Sequence, residues 1–223
     1  LIEKAHTTKG FRLACQTSIS GDITARRLVL DSDDIKDMSF DRQGKSKQIA
    51  ILFSDIRGFT PFSEKLTPYD VVFILNRYFK RMVQVVENNN GRVDNYIGDG
   101  MVAIFGIDNQ KDPAEYAVKS ALEMCEEMDD MRPYLKTMYG KDFDIGVGVH
   151  WGNAVVGDIG AGESKRLTAI GDAMNFASRV ESANKQFKSR VLISDDVFQE
   201  IKESLVIKDF MRTTTVSYTH LTL

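Results

Sequence analysis

The sequence predicts an α+β domain in which helices pack against an antiparallel sheet. Two observations lead to this prediction: two long segments carry apolar residues at helical spacing, and short apolar runs of strand length alternate with them along the chain. The composition agrees, because a chain of 223 residues, 43% of them hydrophobic, can fill the core of one sizeable domain. We therefore expect one main domain with a small appendage.

The main domain is predicted to begin with a buried strand. Residues 49–56, IAILFSDI, form a continuous apolar run of strand length. A helix is expected from Pro68, because Thr67 can cap its first turn, and Asn-Gly residues at 88–91 end it. Residues 92–106 then carry two apolar strands around a Gly-Asp-Gly turn, which is a strong hairpin signal.

The second half of the main domain continues the alternation of helices and strands. A helix is expected at Asp112-Pro113, where Glu115 completes a pattern like a capping box. The elements expected after it are strands at 143–150 and 153–160, a helix from Asp172, a strand at 190–194 and a helix at 195–204. The order of elements is β-α-β-β-α-β with additional strands and helices. This order predicts a ferredoxin-like palm, in which the helices pack on one face of an antiparallel sheet.

Composition and charge exclude several classes of protein. A net charge of −3 argues against a nucleic-acid binder that relies on phosphate neutralisation. Two cysteines rule out a disulfide scaffold, and three histidines outside any Cys/His cluster argue against structural zinc. No apolar run reaches the roughly 18 residues of a transmembrane helix. We expect a cytoplasmic domain without membrane contact of its own, or one held at the cytoplasmic face of a membrane by a longer protein.

Two acidic residues form a candidate metal site. Asp55 ends the first strand and Asp99 lies in the hairpin turn, and these strands are neighbours in a β-α-β-β sheet, so the carboxylates should meet at one edge. Oxygen-only ligation favours Mg²⁺ or Mn²⁺. Gly98 and Gly100 permit close approach of a phosphate, and the backbone around Gly58 could cradle an anion. The alternative is that Asp99 merely occupies a turn and Asp55 caps a helix.

Three ordered motifs resemble the class III nucleotidyl cyclases, the adenylyl and guanylyl cyclase family. They are FSDIRGFT from residue 53, YIGDGMVAIFG from residue 96 and TAIGDAMNFASRVE at 168–181. The resemblance covers roughly residues 48–208. It implies a homodimer with active sites at the interface, acting as an adenylate cyclase, a phosphorus–oxygen lyase that converts ATP to 3′,5′-cyclic AMP and pyrophosphate for signalling.

The resemblance also implies the metal ligands and the catalytic residues. Asp55, Asp99 and the carbonyl oxygen of Ile56 match the ligands of two Mg²⁺ or Mn²⁺ ions. Asn175 and Arg179, four residues apart on one helix face, match the asparagine that orients the ribose and the arginine that neutralises charge on the α-phosphate. Without the resemblance, this pair would be assigned to a solvated helix face.

Five further residues are predicted to bind substrate. Thr168 matches a purine-contacting position at which bacterial adenylyl cyclases often carry threonine. Asn95 stands where adenylyl cyclases usually carry lysine and guanylyl cyclases glutamate, and its amide both donates and accepts hydrogen bonds. Gly58, Phe59 and Thr60 form the predicted phosphate cradle. ATP is the expected substrate; GTP or dual specificity is the alternative, as is a weakened dimerisation or nucleotide-sensing domain.

The last residues, 209–223, depart from the family pattern. The family normally ends in a strand pair that carries a phosphate-binding lysine, whereas no lysine follows Lys208 here. The tail TTTVSYTHLTL looks like translated sequencing-adapter sequence. We therefore expect an artefactual truncation, with one sheet element missing and activity weakened. A genuine, poorly ordered terminus is the alternative.

The first residues, 1–35, are expected to form a separate fragment, joined by a polar linker at 36–47. FRLACQTSISGDIT resembles the closing segment of a [2Fe–2S] ferredoxin domain, with Cys15 matching the fourth cluster ligand. The other three ligands are absent, so a cluster is expected only in a longer parent protein, where redox control of the cyclase is a hypothesis. Cys125 is expected in the core of the main domain.

Overall fold

The computed structural model describes residues 44–108, 110–160 and 164–204, and the backbone of two strands at 211–215 and 218–222. The chain divides into two units, Leu1–Gly44 and Lys45–Leu223. The described residues belong almost entirely to the second unit. The predictions for residues 1–35, including the role of Cys15, and for most of the linker at 36–47 lie outside them.

The described part of the chain contains eight strands and five helices. In chain order they are β1 (Lys45–Ile56), α1 (Phe59–Ser63), α2 (Pro68–Asn88), β2 (Arg92–Ile97), β3 (Gly100–Phe105), α3 (Pro113–Tyr139), β4 (Ile145–Ile159), β5 (Arg166–Ile170), α4 (Asp172–Phe187), β6 (Val191–Ser194), α5 (Asp195–Ile201), β7 (Met211–Thr215) and β8 (Tyr218–Thr222). Within this part, no helix combines the length and the apolar character needed to cross a membrane.

All the strands form one sheet in the order β2-β3-β1-β4-β6-β8-β7, and β5 pairs with β4 outside this path. The first four strands pair antiparallel, which is the ferredoxin-like arrangement. The predicted α+β fold is therefore confirmed. One pair differs from the prediction: β6 runs parallel to β4, because β5 and the helix α4 carry the chain back to the end at which β4 began.

The sheet is covered on both faces, whereas the sequence predicted helices on one face only. Alternate residues of β1 explain this arrangement. Ala50 and Leu52 pack in the larger core, under α2 and α3. Ile49 and Ile51 pack on the other face, against β5 and the alanines of α4. A strand that is buried on both faces reads as an unbroken apolar run, which is why its sequence shows no alternation.

The sequence predicted the N-terminal cap of α2 correctly and that of α3 wrongly. At the start of α2, the Thr67 hydroxyl oxygen accepts a hydrogen bond from the Asp70 backbone N–H at 3.3 Å, as predicted. The capping box predicted for α3 is wrong, because Asp112 has a left-handed backbone conformation and its side chain makes no capping hydrogen bond. Cys125 of α3 is buried, as expected, and burial raises the pKa of its thiol to about 11.

Two predictions about the strands are corrected by the structure. The separate strands at 143–150 and 153–160 are one strand, β4, because Trp151 and Gly152 stay in register with β1. The expectation that a terminal sheet element is missing is also wrong. The tail residues form the antiparallel pair β7 and β8, and β8 pairs with β6. Threonine, valine and tyrosine favour strands, and the tail is rich in them.

Candidate active site

The two predicted metal-binding aspartates lie side by side. The pairing of β1 with β3 places Ser54 opposite Met101, so the end of β1 adjoins the turn that joins β2 to β3. Asp99 occupies this turn, close enough to Asp55 for the charge of Asp55 to raise the pKa of the Asp99 carboxyl group. A Cβ atom on Gly100 would lie 3.1 Å from the Ser54 carbonyl oxygen, so glycine is what allows the turn to lie this close to β1.

The electrostatics of this pair favour a bound cation. Burial, followed by the charge of Asp55, raises the pKa of Asp99 to about 6, although the backbone N–H of Ile56 lowers it. Two adjacent carboxylates are stable together only if they share a proton or face a positive charge. The Lys185 ammonium group supplies part of that charge, with its Nζ 3.6 Å from Asp55 Oδ2.

The donor atoms fit a hard divalent cation. They are the carboxylate oxygens of Asp55 and Asp99, and oxygen donors suit Mg²⁺ or Mn²⁺ rather than zinc. The described residues contain no group of three or more histidine, cysteine, aspartate or glutamate side chains able to hold a metal. A cation at Asp55 and Asp99 would therefore take its remaining ligands from the backbone, from water or from a substrate.

A third acidic residue, Glu181 of α4, was missed by the sequence reasoning. Its side chain lines a cleft of about 150 Å³ together with Asp55 and Gly100. Burial, followed by the charge of Asp55, raises the pKa of Glu181 to about 7. No pattern in the sequence indicates this position, because the approach of Glu181 to β4 depends on the fold: a Cβ atom on Gly148 would lie 2.2 Å from the Glu181 backbone nitrogen.

Asn175 and Arg179 lie on the exposed side of α4. The buried residues of this helix are Ala173, Phe176, Ala177, Val180, Glu181 and Asn184. The Arg179 guanidinium stands 5.6 Å from the centre of the Phe176 ring and 3.9 Å from Asp172 Oδ1. Neither Asn175 nor Arg179 lines the cleft of Asp55. One chain thus brings the two aspartates together without adding the asparagine and the arginine.

The predicted phosphate cradle surrounds the start of α1. Gly58 has a φ of 65°, in the left-handed region, and precedes the first residue of this helix. Phe59 is only 3% exposed and packs near the Phe143 ring at 6.2 Å, so its side chain belongs to the core and only its backbone can meet a phosphate. Thr60 is exposed. Lys141, which the sequence reasoning missed, donates from Nζ to the Gly58 carbonyl oxygen at 3.1 Å.

The two predicted base-contacting residues lie on β2 and β5. A bulge interrupts β2 between Val93 and Asn95, and Asn95 is exposed. The Thr168 hydroxyl of β5 donates a hydrogen bond to Asp94 Oδ2 at 2.8 Å. Asp94, which precedes Asn95, was also missed by the sequence reasoning. Together with Asn95, Arg166 and other residues, it lines a cleft of about 440 Å³.

The comparison with protein families gives one match over most of the chain. Residues 42–217 match the family described as the adenylate and guanylate cyclase catalytic domain. The match begins inside the predicted linker and extends past residue 208, where the predicted cyclase segment ends.

Curated relatives are similar over about the same part of the chain. An adenylate cyclase of Dictyostelium discoideum, specific to terminal differentiation, is 36% identical over 159 residues, which are 71% of this chain and 7% of that protein. An adenylate cyclase of Anabaena cylindrica is 32% identical over 160 residues, 70% of this chain and 31% of that protein. The chain thus spans less than a third of the length of these relatives.

Solved structures of cyclases are similar to most of this chain. The guanylyl cyclase Cya2 superposes with a TM-score of 0.72 at 27% identity, covering 81% of this chain and 93% of that one. The adenylyl cyclase CyaB from P. aeruginosa also has a TM-score of 0.72, at 26% identity, covering 81% of this chain and 95% of that one. The similar structures therefore include cyclases for both purine nucleotides.

Proposed function

Because the chain belongs to the adenylate and guanylate cyclase catalytic-domain family, we propose that it is the catalytic domain of an adenylate cyclase, which converts ATP to 3′,5′-cyclic AMP and pyrophosphate. The observation that carries this proposal is the contact between Asp55 and Asp99. A pair of neighbouring carboxyl groups, one with its pKa raised to about 6 by burial and by the charge of the other, calls for positive charge. The divalent metal ions that accompany a nucleoside triphosphate would provide that charge.

In this proposal Mg²⁺ or Mn²⁺ would be held by Asp55, Asp99 and the Ile56 carbonyl oxygen. The bound ions would lower the pKa of the ribose 3′-hydroxyl and neutralise charge on the triphosphate. The backbone around Gly58 receives phosphate oxygens, and the Lys141 ammonium beside it adds positive charge. In the reaction the 3′-oxygen bonds to the α-phosphorus, the bond from that phosphorus to the bridging oxygen breaks, and pyrophosphate departs while the hydroxyl proton leaves to solvent.

We propose that the active unit is a homodimer. The Arg179 side chain suits the task of neutralising charge on the α-phosphate, because its planar fork stays charged and donates two hydrogen bonds. It lies on the exposed side of α4, outside the cleft of Asp55. A second copy could present it there. Exposed apolar side chains offer a surface for such contact; they include Tyr96, Ile97, Val155, Ile159 and Ile170, each 39–59% exposed.

The test is the formation of cyclic nucleotide by the purified chain with Mn²⁺. We expect cyclic AMP from ATP, and at least a roughly hundredfold loss of rate in Asp55→Ala, because the cation loses a charged ligand. Asp130→Ala removes an exposed carboxylate of α3 and serves as the matched control, with the rate unchanged. A rate for the wild type no higher than that of Asp55→Ala would overturn the proposal.

The second candidate is a guanylate or dual-specificity cyclase. The observation in its favour is Asn95, whose amide can donate to adenine or accept from guanine. The same assay with GTP distinguishes these cases, because a guanylate cyclase would form more cyclic GMP than cyclic AMP at equal nucleotide concentration. Binding of nucleotide without product would instead favour a sensing or dimerisation domain.

A further inference from the structure

We propose that Asp94 determines the base preference by fixing the direction of the hydrogen bond at Thr168. Asp94 would act as a positioning residue: it touches Thr168 and not the substrate. The inference rests on the proposed function, since it places the purine of the substrate at Thr168. It adds a residue to which neither the family motifs nor the sequence reasoning assigned a role.

The contact between the two side chains is close and well defined. Thr168 Oγ1 lies 2.8 Å from Asp94 Oδ2, and both residues are partly buried. A bulge in β2 falls between Val93 and Asn95, so Asp94 is the extra residue of the strand. Val93 packs in the core under α2, and the Tyr96 ring lies 4.5 Å from the Phe79 ring of the same helix. The bulge thus lets Asp94 reach β5.

The direction of this bond controls what Thr168 can offer to a ligand. A hydroxyl group has one proton and two lone pairs, whereas a carboxylate only accepts. With its proton committed to Asp94, the Thr168 oxygen presents lone pairs alone. The 6-amino group of adenine is a donor and satisfies them. The 6-oxo group of guanine is an acceptor and would face another acceptor, an arrangement that leaves two polar groups unsatisfied.

The environment of the second carboxylate oxygen of Asp94 indicates that this residue does more than connect β2 to β5. Asp94 Oδ1 is buried and has no hydrogen-bond partner among the described residues. A buried carboxylate with one unpaired oxygen destabilises a fold, and a neutral acceptor would join β2 to β5 with less penalty. Asn95 cannot provide the same selectivity, because its amide can turn to donate or to accept.

The experiment compares kcat/KM for ATP and for GTP in the wild type, four single variants and one double variant. Asp94→Leu removes the acceptor and keeps the branching at Cγ, so that the Thr168 hydroxyl can donate to guanine. Asp94→Asn keeps an acceptor oxygen and serves as the conservative rescue. Thr168→Val removes the hydroxyl. Asp158→Asn changes an exposed carboxylate on β4, the strand that pairs with β5, and is the matched control.

The wild type should prefer ATP. We expect Asp94→Leu to lower the ATP-to-GTP ratio about tenfold, as the loss of one directed hydrogen bond implies. Asp94→Asn should keep most of the preference and Asp158→Asn all of it. In the Thr168→Val background, Asp94→Leu should change the ratio no further. A merely structural role for Asp94 would lower the rates for both nucleotides together. That result, or a wild type that prefers GTP, would overturn the inference.

Binding separates failure of this inference from failure of the proposed function. 3′-Deoxy-ATP and 3′-deoxy-GTP lack the attacking hydroxyl, so calorimetric titration with each, in the presence of Mn²⁺, measures base preference without turnover. If the wild type forms no cyclic nucleotide, the proposed function fails. The ratio of the two dissociation constants, and its loss in Asp94→Leu, would still support or overturn the role of Asp94.

Discussion

Asp99 shows how the surroundings of a common turn residue change its chemistry. Aspartate is frequent in hairpin turns, and the sequence alone left that ordinary explanation open. The strand order allowed the meeting with Asp55 to be predicted, because it follows from the pattern of elements. Burial could not be predicted in the same way, since it depends on side chains from distant parts of the chain. Burial is the first cause of the raised pKa of Asp99.

The raised pKa of Asp99 predicts a pH-dependent affinity for metal. A cation binds the carboxylate and competes with the proton, whose pKa is about 6. Below pH 6 the apparent dissociation constant for Mn²⁺ should therefore rise about tenfold per pH unit. Calorimetric titration between pH 5 and pH 7.5 measures it. Asp99→Asn should bind weakly at every pH, and a constant affinity in the wild type would contradict the prediction.

The raised pKa of Glu181 predicts that the stability of the fold depends on pH. Its pKa is raised from 4.5 to about 7, so the folded chain holds this proton more tightly than the unfolded chain. The stability contributed by the proton is fully present below pH 4.5 and is lost as the pH rises through 7. Between pH 5 and pH 8 the free energy of unfolding of the wild type should fall, relative to Glu181→Gln, by about 2 kcal/mol.

Urea unfolding in the presence of EDTA checks this prediction, because a chelator keeps metal ions away from the neighbouring Asp55. Glu126→Gln, an exposed residue of α3, is the control and should follow the wild type across the pH range. Parallel curves for the wild type and Glu181→Gln would show that Glu181 titrates in the same way in both states.

Helices and strands were predicted well where their signals are local. Thr67 and Pro68 defined the start of α2, because a cap and a first-turn proline act within one helical turn. The five-residue helix α1 was missed, since it is too short to show a period. The single strand β4 was divided at Trp151, because only its pairing with β1 carries it past the adjacent glycine. Pairing between distant segments is what the sequence pattern does not contain.

The packing of α4 on β4 depends on the absence of a side chain at Gly148. A Cβ atom there would lie 2.2 Å from the backbone nitrogen and 2.6 Å from the Cα of Glu181, so the helix would have to move. Gly148→Ala should lower the free energy of unfolding by about 2–3 kcal/mol. It should also lower kcat, because α4 carries Asn175 and Arg179. Chemical denaturation and the cyclase assay measure the two effects.

Asn153→Ala is the control for this substitution, since Asn153 is an exposed residue of the same strand. Its stability should stay within about 0.5 kcal/mol of the wild type. A stable and fully active Gly148→Ala would show that α4 can shift outward without disturbing the site.

The proposed site is divided between two surfaces of one chain. Arg179 and Glu181 are two residues apart, about 200° around the helix, so α4 presents the first outward and the second to its own sheet. The sequence motifs predicted the residues of both surfaces. The second copy that we propose to unite them lies beyond what a pattern within one chain specifies, because strand and helix periods report only contacts inside the fold.

A homodimer with shared sites predicts complementation between inactive variants. Asp55→Ala damages the metal side of each site and Arg179→Ala the opposite side, so each variant alone should be nearly inactive. Co-expression in equal amounts makes half of the dimers mixed, and each mixed dimer has one intact site of two. Activity should return to about a quarter of the wild-type value per mass of protein.

Asp55→Ala co-expressed with Asp99→Ala is the matched control for this experiment. Both substitutions damage the same side of the site, so no mixed dimer regains an intact one and no activity should return. The comparison separates complementation from simple stabilisation by a second subunit, which would help both pairs equally. Rescue in neither pair, with mixed dimers demonstrated by differential tags, would mean that Arg179 serves the site of its own chain. The outward orientation of Arg179 would then have to change when substrate binds.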